Sequence, residues 1–457
     1  MYSKRIIDKY LQDWVNDDNH KPILLRGARQ VGKSSAVRNL GNSFEVYLEI
    51  NFERNPEYKA IFEPNLDIPR IVSQLSAMSG KRVVPGKTLV FLDEIQECKE
   101  AIMSLRFFKE DMPQLHVVAA GSLLEFALQE LPTFGVGRIH SMFMYPMTFD
   151  EFLVANSQDM LIEAKNSASP TCPLPEPIHE KLIELYRVYM MVGGMPEVVS
   201  TWVATHDYIR CQKVQDDIIV TYEDDFSKYK KRVDPILLRQ TLRSAAIQVT
   251  NKFAYSQVST SYKSEKIKEA VSLLILAGIL IPVTHTNANG LPLGSEANDR
   301  YRKMLLLDNG LLLRLLNMSM GDISSITEQI LTASATDLVN KGPMTELIAG
   351  LEILRSKPLN MRHELYYWTR QEKNSLAEVD YVDVRNSKIL PIEIKAGTQG
   401  GMKSLWIMIR EKKIQTAIRH SLENFGLIRN EDGETEEIRE VIVWPVYAIS
   451  NVWKAIV

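Results

Sequence analysis

The chain reads Gly27-Ala28-Arg29-Gln30-Val31-Gly32-Lys33-Ser34, followed by Ser35. Two glycines with four residues between them, then a lysine and a hydroxyl side chain, meet what a backbone needs to wrap a polyphosphate. Glycine lets consecutive N–H groups turn inward, and a helix starting beyond the second glycine points its positive end at the same anion. In such a loop Lys33 neutralises the β- and γ-phosphates and the Ser34 hydroxyl ligates Mg²⁺. The plainer alternative is a glycine-bearing turn between a strand and a helix. Against it stands Thr88-Leu-Val-Phe-Leu-Asp93-Glu94, an apolar run ending in two carboxylates. A strand ending there places Asp93 near the metal and Glu94 near an attacking water.

Further along, Leu115–Ala120 leads into Gly121 and Ser122. The Ser122 hydroxyl either holds the water and senses the γ-phosphate, or caps a helix over Leu123–Gln129. Arg138 either approaches phosphate, from within the chain or from a neighbouring subunit, or is an ordinary exposed arginine. A second constellation runs from Glu378 and Asp380 to Glu393-Ile-Lys395. Strand alternation puts Glu393 and Lys395 on one side and Ile392 and Ile394 on the other, and the polar turn Arg385–Lys388 brings Asp380 beside Glu393. Two carboxylates and a lysine so placed would bind a divalent metal and orient a water for phosphodiester attack. An exposed hairpin with alternating charges is the competing reading.

The elements that must position these residues follow from hydrophobic periodicity. Ile6, Ile7, Tyr10, Leu11 and Trp14 recur at helical spacing and predict an amphipathic helix before the first strand. Apolar runs at Ile23–Leu25, Phe44–Ile50, Thr88–Leu92, Val117–Ala120 and Ile139–Tyr145 read as strands of a parallel sheet buried on both faces. Residues 1–155 are therefore expected to form a P-loop α/β core. Asn156–Pro177, proline-rich at its end, is read as a surface loop. Residues 156–231 then form a helical lid or bridge, broken by Gly193, Gly194 and Pro196.

Between 232 and 339 the order is helix Pro235–Val249, helix Ser264–Leu276, Gly278 as terminator, and a hairpin, which suggests a winged helix with its wing over 287–300. Lys263, Lys266 and Lys268 would let its second helix meet DNA, although the acidic overall balance supports a packing or regulatory role better. Residues 340–457, with a helix near Thr345–Leu354 and strands near Tyr366–Trp368, Val379–Val384 and Ile389–Ile394, form a second α/β domain.

The runs LLRGARQVGKSS, TLVFLDEIQE and VVAAGSLLEF, the dipeptide Gly137-Arg138, PMTFDEF at Pro146–Phe152 and VGGMPEVV at Val192–Val199 resemble, in this order, the bacterial and archaeal AAA-type ATPases that carry a C-terminal domain of unknown function, DUF4143. The resemblance covers most of the chain. It implies ATP as the nucleotide, an AAA-like sheet, a helical and winged-helix middle and a nuclease-like C-terminal fold. The Asp380, Glu393-x-Lys395 pattern resembles the restriction-endonuclease-like core, in which Glu346 would be the additional acid.

With 457 residues, 45% hydrophobic and 24% charged, the chain is long enough for more than one core. A net charge of -3 leaves any contact with DNA or another nucleic acid to local patches. Cys98, Cys172 and Cys211 lack metal-ligand spacing and suit a reducing compartment. No signal peptide or membrane span is legible, so a cytoplasmic protein without membrane contact is expected. A homo-oligomer is expected if Arg138 acts in trans. The reading is an Mg²⁺-dependent ATPase acting as a switch for a nuclease-like module. The alternative is a signalling or assembly ATPase whose C-terminal domain recognises protein or DNA without cutting it.

Overall fold

The computed structural model describes residues 2–122, 124–129, 137–230, 232–316, 341–372, 375–398, 400–431 and 438–456. Leu123, where one expected helix begins, and 317–340, where the expected middle segment ends, lie outside the described residues. The chain divides into two compact units, the first comprising Met1–Pro146 with Leu276–Ile279 and Pro358–Arg362.

In the first unit, helix α1 (Ile6–Val15) buries Ile7, Leu11 and Trp14, the stripe that the spacing predicts. Strands β1 (Ile23–Arg26), β2 (Val46–Asn51), β3 (Thr88–Asp93), β4 (His116–Ala120) and β5 (His140–Phe143) form one sheet in the order β2-β3-β4-β1-β5. Every pairing is parallel, with Leu24 opposite Ala119 and Ile50 opposite Leu92. Helices α2 (Lys33–Gly41), α3 (Ile68–Ser79), α4 (Lys99–Asp111) and α5 (Leu124–Gln129) accompany the sheet. Ile71, Leu75, Ile102 and Leu105 share a core with Leu48, Val90 and Val117. Because all strands run the same way, the residues following β1, β3 and β4 emerge on one edge, where open α/β sheets bind ligands.

The second unit begins with α6 (Phe149–Ala155), capped by a reciprocal Thr148–Glu151 box. The expected surface loop Asn156–Pro177 is corrected: a helix, α7 (Asp159–Ser167), occupies its first half. The prolines lie beyond it and cannot interrupt it, and the fully buried side chain of Lys165 is held by Asp150 at 2.5 Å. Helices α8 (Glu176–Val192), α9 (Pro196–Thr205) and α10 (Tyr208–Asp225) follow, separated at Gly193-Gly194, as expected, and also near Asp207. Next come α11 (Pro235–Ile247), α12 (Ser264–Leu276) and the antiparallel pair β6 (Leu280–Thr286) and β7 (Ala297–Leu306).

This hairpin is joined to the C-terminal strands. Strand β6 pairs in parallel with β8 (Leu365–Glu372), with Thr284 opposite Tyr366. With β9 (Ser375–Arg385), β10 (Lys388–Ile394), β11 (Thr416–Ser421), β12 (Gly426–Glu431) and β13 (Ile438–Pro445) it makes an eight-stranded sheet in the order β12-β13-β11-β10-β9-β8-β6-β7. The stretch read as a wing and the stretch read as a separate α/β domain therefore share one sheet. Helices α13 (Asn309–Leu315), α14 (Lys341–Arg355) and α15 (Lys403–Glu411) complete the unit.

A buried polar network holds the start of this unit. Arg355 on α14 donates to the carbonyls of Met147 and Leu307 and to the Tyr189 hydroxyl at 3.1, 2.8 and 3.0 Å. The carboxylate of Glu352 accepts from the N–H of Phe149 at 3.1 Å. Gly194 donates to Asp308 and accepts from Met147, both at 2.6 Å. A Cβ on Gly194 would stand 2.1 Å from the Met147 carbonyl oxygen, so only glycine permits this approach. Overpacking of this kind costs about 1–3 kcal/mol. Gly194→Ala is expected to lower the melting temperature by roughly 2–12 °C in calorimetry, at about 2–4 °C per kcal/mol; an unchanged melting temperature would contradict the contact.

Candidate nucleotide site

The loop leaving β1 has the backbone that its glycines predict. Gly27 has φ 145° and Gly32 has φ 98°, and Gln30 between them also takes a positive φ of 63°. A Cβ on Gly27 would lie 2.2 Å from the carbonyl oxygen of Met144, so a larger residue would displace the loop from the chain following β5. Helix α2 starts at Lys33, immediately after Gly32. Ala28 and Val31 are buried, whereas Arg29, Gln30 and Ser34 are partly exposed and Ser35 is exposed. This gives the turn its hydrophobic anchors while its rim faces out.

Lys33 is buried, and its ammonium donates to the carbonyls of Gly27 and Ala28 at 2.9 and 2.7 Å. Burial pulls its pKa down to about 8, against the attraction of Glu94 and Asp93. The ammonium thus rests on the loop's own carbonyls, the place from which it can exchange onto phosphate oxygens.

The Ser34 hydroxyl donates to Oδ1 of Asp93 at 3.0 Å, and Asn51 at the end of β2 donates to Oδ2 at 3.0 Å. Burial and then the neighbouring Glu94 hold the Asp93 carboxyl above the usual aspartate range, opposed by these two hydrogen bonds. The pair fits Mg²⁺: oxygens about 2.05 Å from the ion and at right angles would stand roughly 2.9 Å apart. Asn51 follows from no motif, only from β2 lying beside β3.

Glu94 adopts φ 50° and ψ 44°, a left-handed conformation uncommon outside glycine and concentrated at functional sites. Its Oε2 accepts from Gln96 at 2.6 Å and from the Ser122 hydroxyl and N–H at 3.2 and 3.4 Å. Ser122 is therefore engaged with Glu94 across the ends of β3 and β4. Gln96, not singled out in the sequence, completes this contact, and a Cβ on Gly121 would come 2.0 Å from its Oε1.

Arg138 lies elsewhere. It forms an exposed ion pair with Glu110 at 3.2 Å, and nothing described for this chain brings it to the phosphate loop. Surface pairs of this kind contribute about 0–1 kcal/mol. Three other residues brace the loop without having been legible. Buried Arg5 donates to the Val31 carbonyl at 3.0 Å and to the Tyr145 carbonyl at 2.8 Å. Arg26, the last residue of β1, makes a two-pronged ion pair with Glu125 on α5. Gly278, expected only to end α12, also lies against the loop, where an added Cβ would be 3.4 Å from the Ala28 nitrogen.

The second constellation is assembled as the turn predicted, but inside the protein. Arg385 pairs with Lys388 around Asn386 and Ser387, both at positive φ, and Ile392 lies opposite Tyr381. The Ile394 N–H donates to Asp380 at 2.8 Å, and Lys395 reaches Glu393 at 2.5 Å. The exposed-hairpin reading fails here because Leu390–Ile394 is buried on both faces. Glu346 on α14 joins through Lys303 of β7, whose ammonium contacts Glu346 at 2.9 Å and Glu378 at 2.6 Å.

Burial and the charge of Asp380 push Glu346 up to about 8 and Glu393 up to about 7. Burial opposes the ammonium of Lys303, but Glu346, Glu378 and Asp380 prevail and raise its pKa above the lysine norm. Among the described residues no group of three or more His, Cys, Asp or Glu side chains is arranged to hold a metal ion. The cysteines are free, Cys98 and Cys211 buried and Cys172 exposed. No described helix is long and apolar enough to cross a membrane.

Comparison with known proteins gives three family matches along the chain. Residues 19–153 match the model of an AAA domain, 183–322 that of a domain of unknown function (DUF8612) and 341–449 that of another (DUF4143). No curated protein matches the chain. Among solved structures it is similar to the Walker-type ATPase PABY2304 of Pyrococcus abyssi, with 15% identity and a TM-score of 0.44 over 69% of this chain and 96% of that one. It is also similar to the Aeropyrum pernix ORC1 protein in complex with DNA, with 12% identity and a TM-score of 0.29 over 70% and 92% of the two chains. With the parallel sheet and glycine loop above, the match over 19–153 makes the first unit a P-loop, AAA-type ATPase-like domain.

Proposed function

We propose that the chain binds ATP with Mg²⁺ and hydrolyses it at the edge formed by β1, β3 and β4, and that turnover switches the state of its C-terminal module. The observation that carries this reading is the hydrogen bond between Ser34 and Asp93, which joins the phosphate loop to the acidic end of β3 in the geometry of two neighbouring Mg²⁺ ligands. When bound, Mg²⁺ would supply charge neutralisation to the β- and γ-phosphates. The N–H groups of the loop from Gly27 to Ser35 surround the phosphates, and Lys33 transfers its hydrogen bonds from the loop carbonyls to them. Glu94, held by Ser122 and Gln96, takes the proton of the attacking water. Arg138 would join this chemistry from a neighbouring copy of the chain. For the output, the ammonium of Lys303 among the acids of the second constellation favours a recognition module over a nuclease.

Lys33→Ala is expected to abolish ATP binding in calorimetric titration, and unchanged turnover in that variant would overturn the assignment. Glu94→Gln should still bind ATP while losing turnover by about 10²–10⁴-fold; loss of binding instead would make Glu94 a structural residue. The lowered pKa of Lys33 gives a signed pH effect. Phosphate contact favours the ammonium, so at pH 8.5 ATP binding should take up protons that the free protein has partly released. Titrations in buffers of different ionisation enthalpy measure this uptake, which should shrink toward pH 7, where the free protein already holds the Lys33 proton.

A further inference from the structure

We propose that Gln96 is the positioning residue that makes Glu94 a one-sided base, and that it acts from a slot that Gly121 keeps open. The role rests on the ATPase reading above and names what orients its base. Glu94 leaves β3 on a left-handed backbone, and the residues that follow, Ile95–Glu97, form a single 3₁₀ turn. The turn is anchored: Ile95 is fully buried, and the Cys98 N–H closes onto the Ile95 carbonyl at 2.9 Å. Gln96 therefore reaches Glu94 from a fixed platform.

Three donors meet the Glu94 carboxylate, and all three arrive at Oε2. Their lengths rank them. The amide of Gln96 donates at 2.6 Å, whereas Ser122 offers its hydroxyl at 3.2 Å and its N–H at 3.4 Å. Hydroxyl donors usually lie within about 3.0 Å of the acceptor, and N–H donors within about 3.2 Å. Gln96 thus fixes the carboxylate, and Ser122 only touches it. An oxygen that already accepts a strong hydrogen bond is the poorer base, so Oε1 is left to act. In the hydrolysis proposed above, the water oxygen bonds to the γ-phosphorus as the water proton passes to Oε1 of Glu94. The bond from that phosphorus to the β,γ-bridging oxygen breaks, and its electron pair stays on ADP.

A second observation concerns the other end of the same amide. Oε1 of Gln96 is buried and has no partner. An unpaired buried carbonyl oxygen is unfavourable and persists only where something holds it. Turning the amide over would set this oxygen against the Glu94 carboxylate, so the anion keeps the amide in its present sense. Gly121 supplies the room, since a Cβ there would stand 2.0 Å from the Gln96 oxygen. The φ of Gly121 lies outside the left-handed region, and apart from Gln96 the nearest atom to such a Cβ is the Ile95 nitrogen at 3.6 Å, an ordinary contact. The glycine is needed for Gln96 alone.

The test measures ATP turnover and calorimetric ATP binding on the full chain. Gln96→Met keeps the length of the side chain and removes the donor; it should lower kcat about 10–100-fold while KM and ATP affinity stay within about twofold. Ser122→Ala should lower kcat less than Gln96→Met does. Gly121→Ala leaves both Glu94 and Gln96 in the chain. It should lower kcat about tenfold in the wild-type background but less than about threefold in Gln96→Met, where the bond it displaces is already gone. Additive losses would overturn the assignment, as would ATP affinity falling with kcat, or a Gln96→Met protein with wild-type kcat. Should Gln96→Met not fold, Gly121→Ala decides against Ser122→Ala: the glycine variant must lose more kcat, and an equal or smaller loss refutes Gln96. Glu94→Gln separates the two readings. Turnover that survives it removes the ATPase reading and this role together, whereas turnover lost there but kept in Gln96→Met refutes Gln96 alone.

Discussion

The nucleotide end of the molecule depends on one constraint, the fixing of the Asp93 carboxylate between Ser34 and Asn51. An aspartate at the buried end of a central strand is unfavourable as an anion unless each oxygen has a donor. Here the two donors arrive on different elements, α2 and β2, so the carboxylate locks the loop to the sheet through its flanking strands. Glu94 depends on the same geometry. Its left-handed backbone turns the chain away after β3 and delivers its carboxylate to Ser122 at the end of β4. Three strand ends are thereby tied into one surface before any ligand arrives, which is the preorganisation that phosphoryl transfer requires.

The same electrostatic logic recurs in the second unit with a different occupant. Lys33 and Lys303 are both buried lysines beside acidic pairs, yet their pKa values move in opposite directions. Lys33 hydrogen-bonds to neutral carbonyls, so desolvation dominates and its proton is loosened. Lys303 hydrogen-bonds to carboxylates, so the anions prevail and its proton is held. A lysine with a loosened proton suits a group that must move between partners, whereas one with a held proton suits a permanent counter-ion.

How much of this was legible in the sequence follows the sequence distance of each contact. The phosphate loop, the acidic end of β3 and the β9–β10 turn are local: residue types at fixed spacing determine them, and Gly27, Gly32, Asp93 and the Asp380–Glu393 adjacency could be read directly. Ser122 was readable only as a choice between two roles, because its partner Glu94 depends on which strands are neighbours. Asn51, Arg5 and Lys303 could not be found that way. Lys303 lies 43 residues from Glu346, and Arg5 lies 140 from Tyr145, with no repeating pattern to connect them. The helix α7 was missed for another reason. Prolines at the end of Asn156–Pro177 outweighed a proline-free first half whose buried lysine is explained only by a partner on α6 and another near the C-terminal end.

The two halves of the chain segment Met144–Phe149 are each held within their own unit. At its start, Met144 is packed against Gly27, and the Tyr145 carbonyl shares Arg5 with Val31 of the loop, all within the first unit. At its end, Met147 and Phe149 are held by Gly194, Arg355 and Glu352, all within the second. Around Met147 the close backbone contacts at Gly194 leave little room for graded adjustment. The runs PMTFDEF and VGGMPEVV meet here within the second unit, since the first supplies Met147 and the second supplies the glycine that lets its backbone approach.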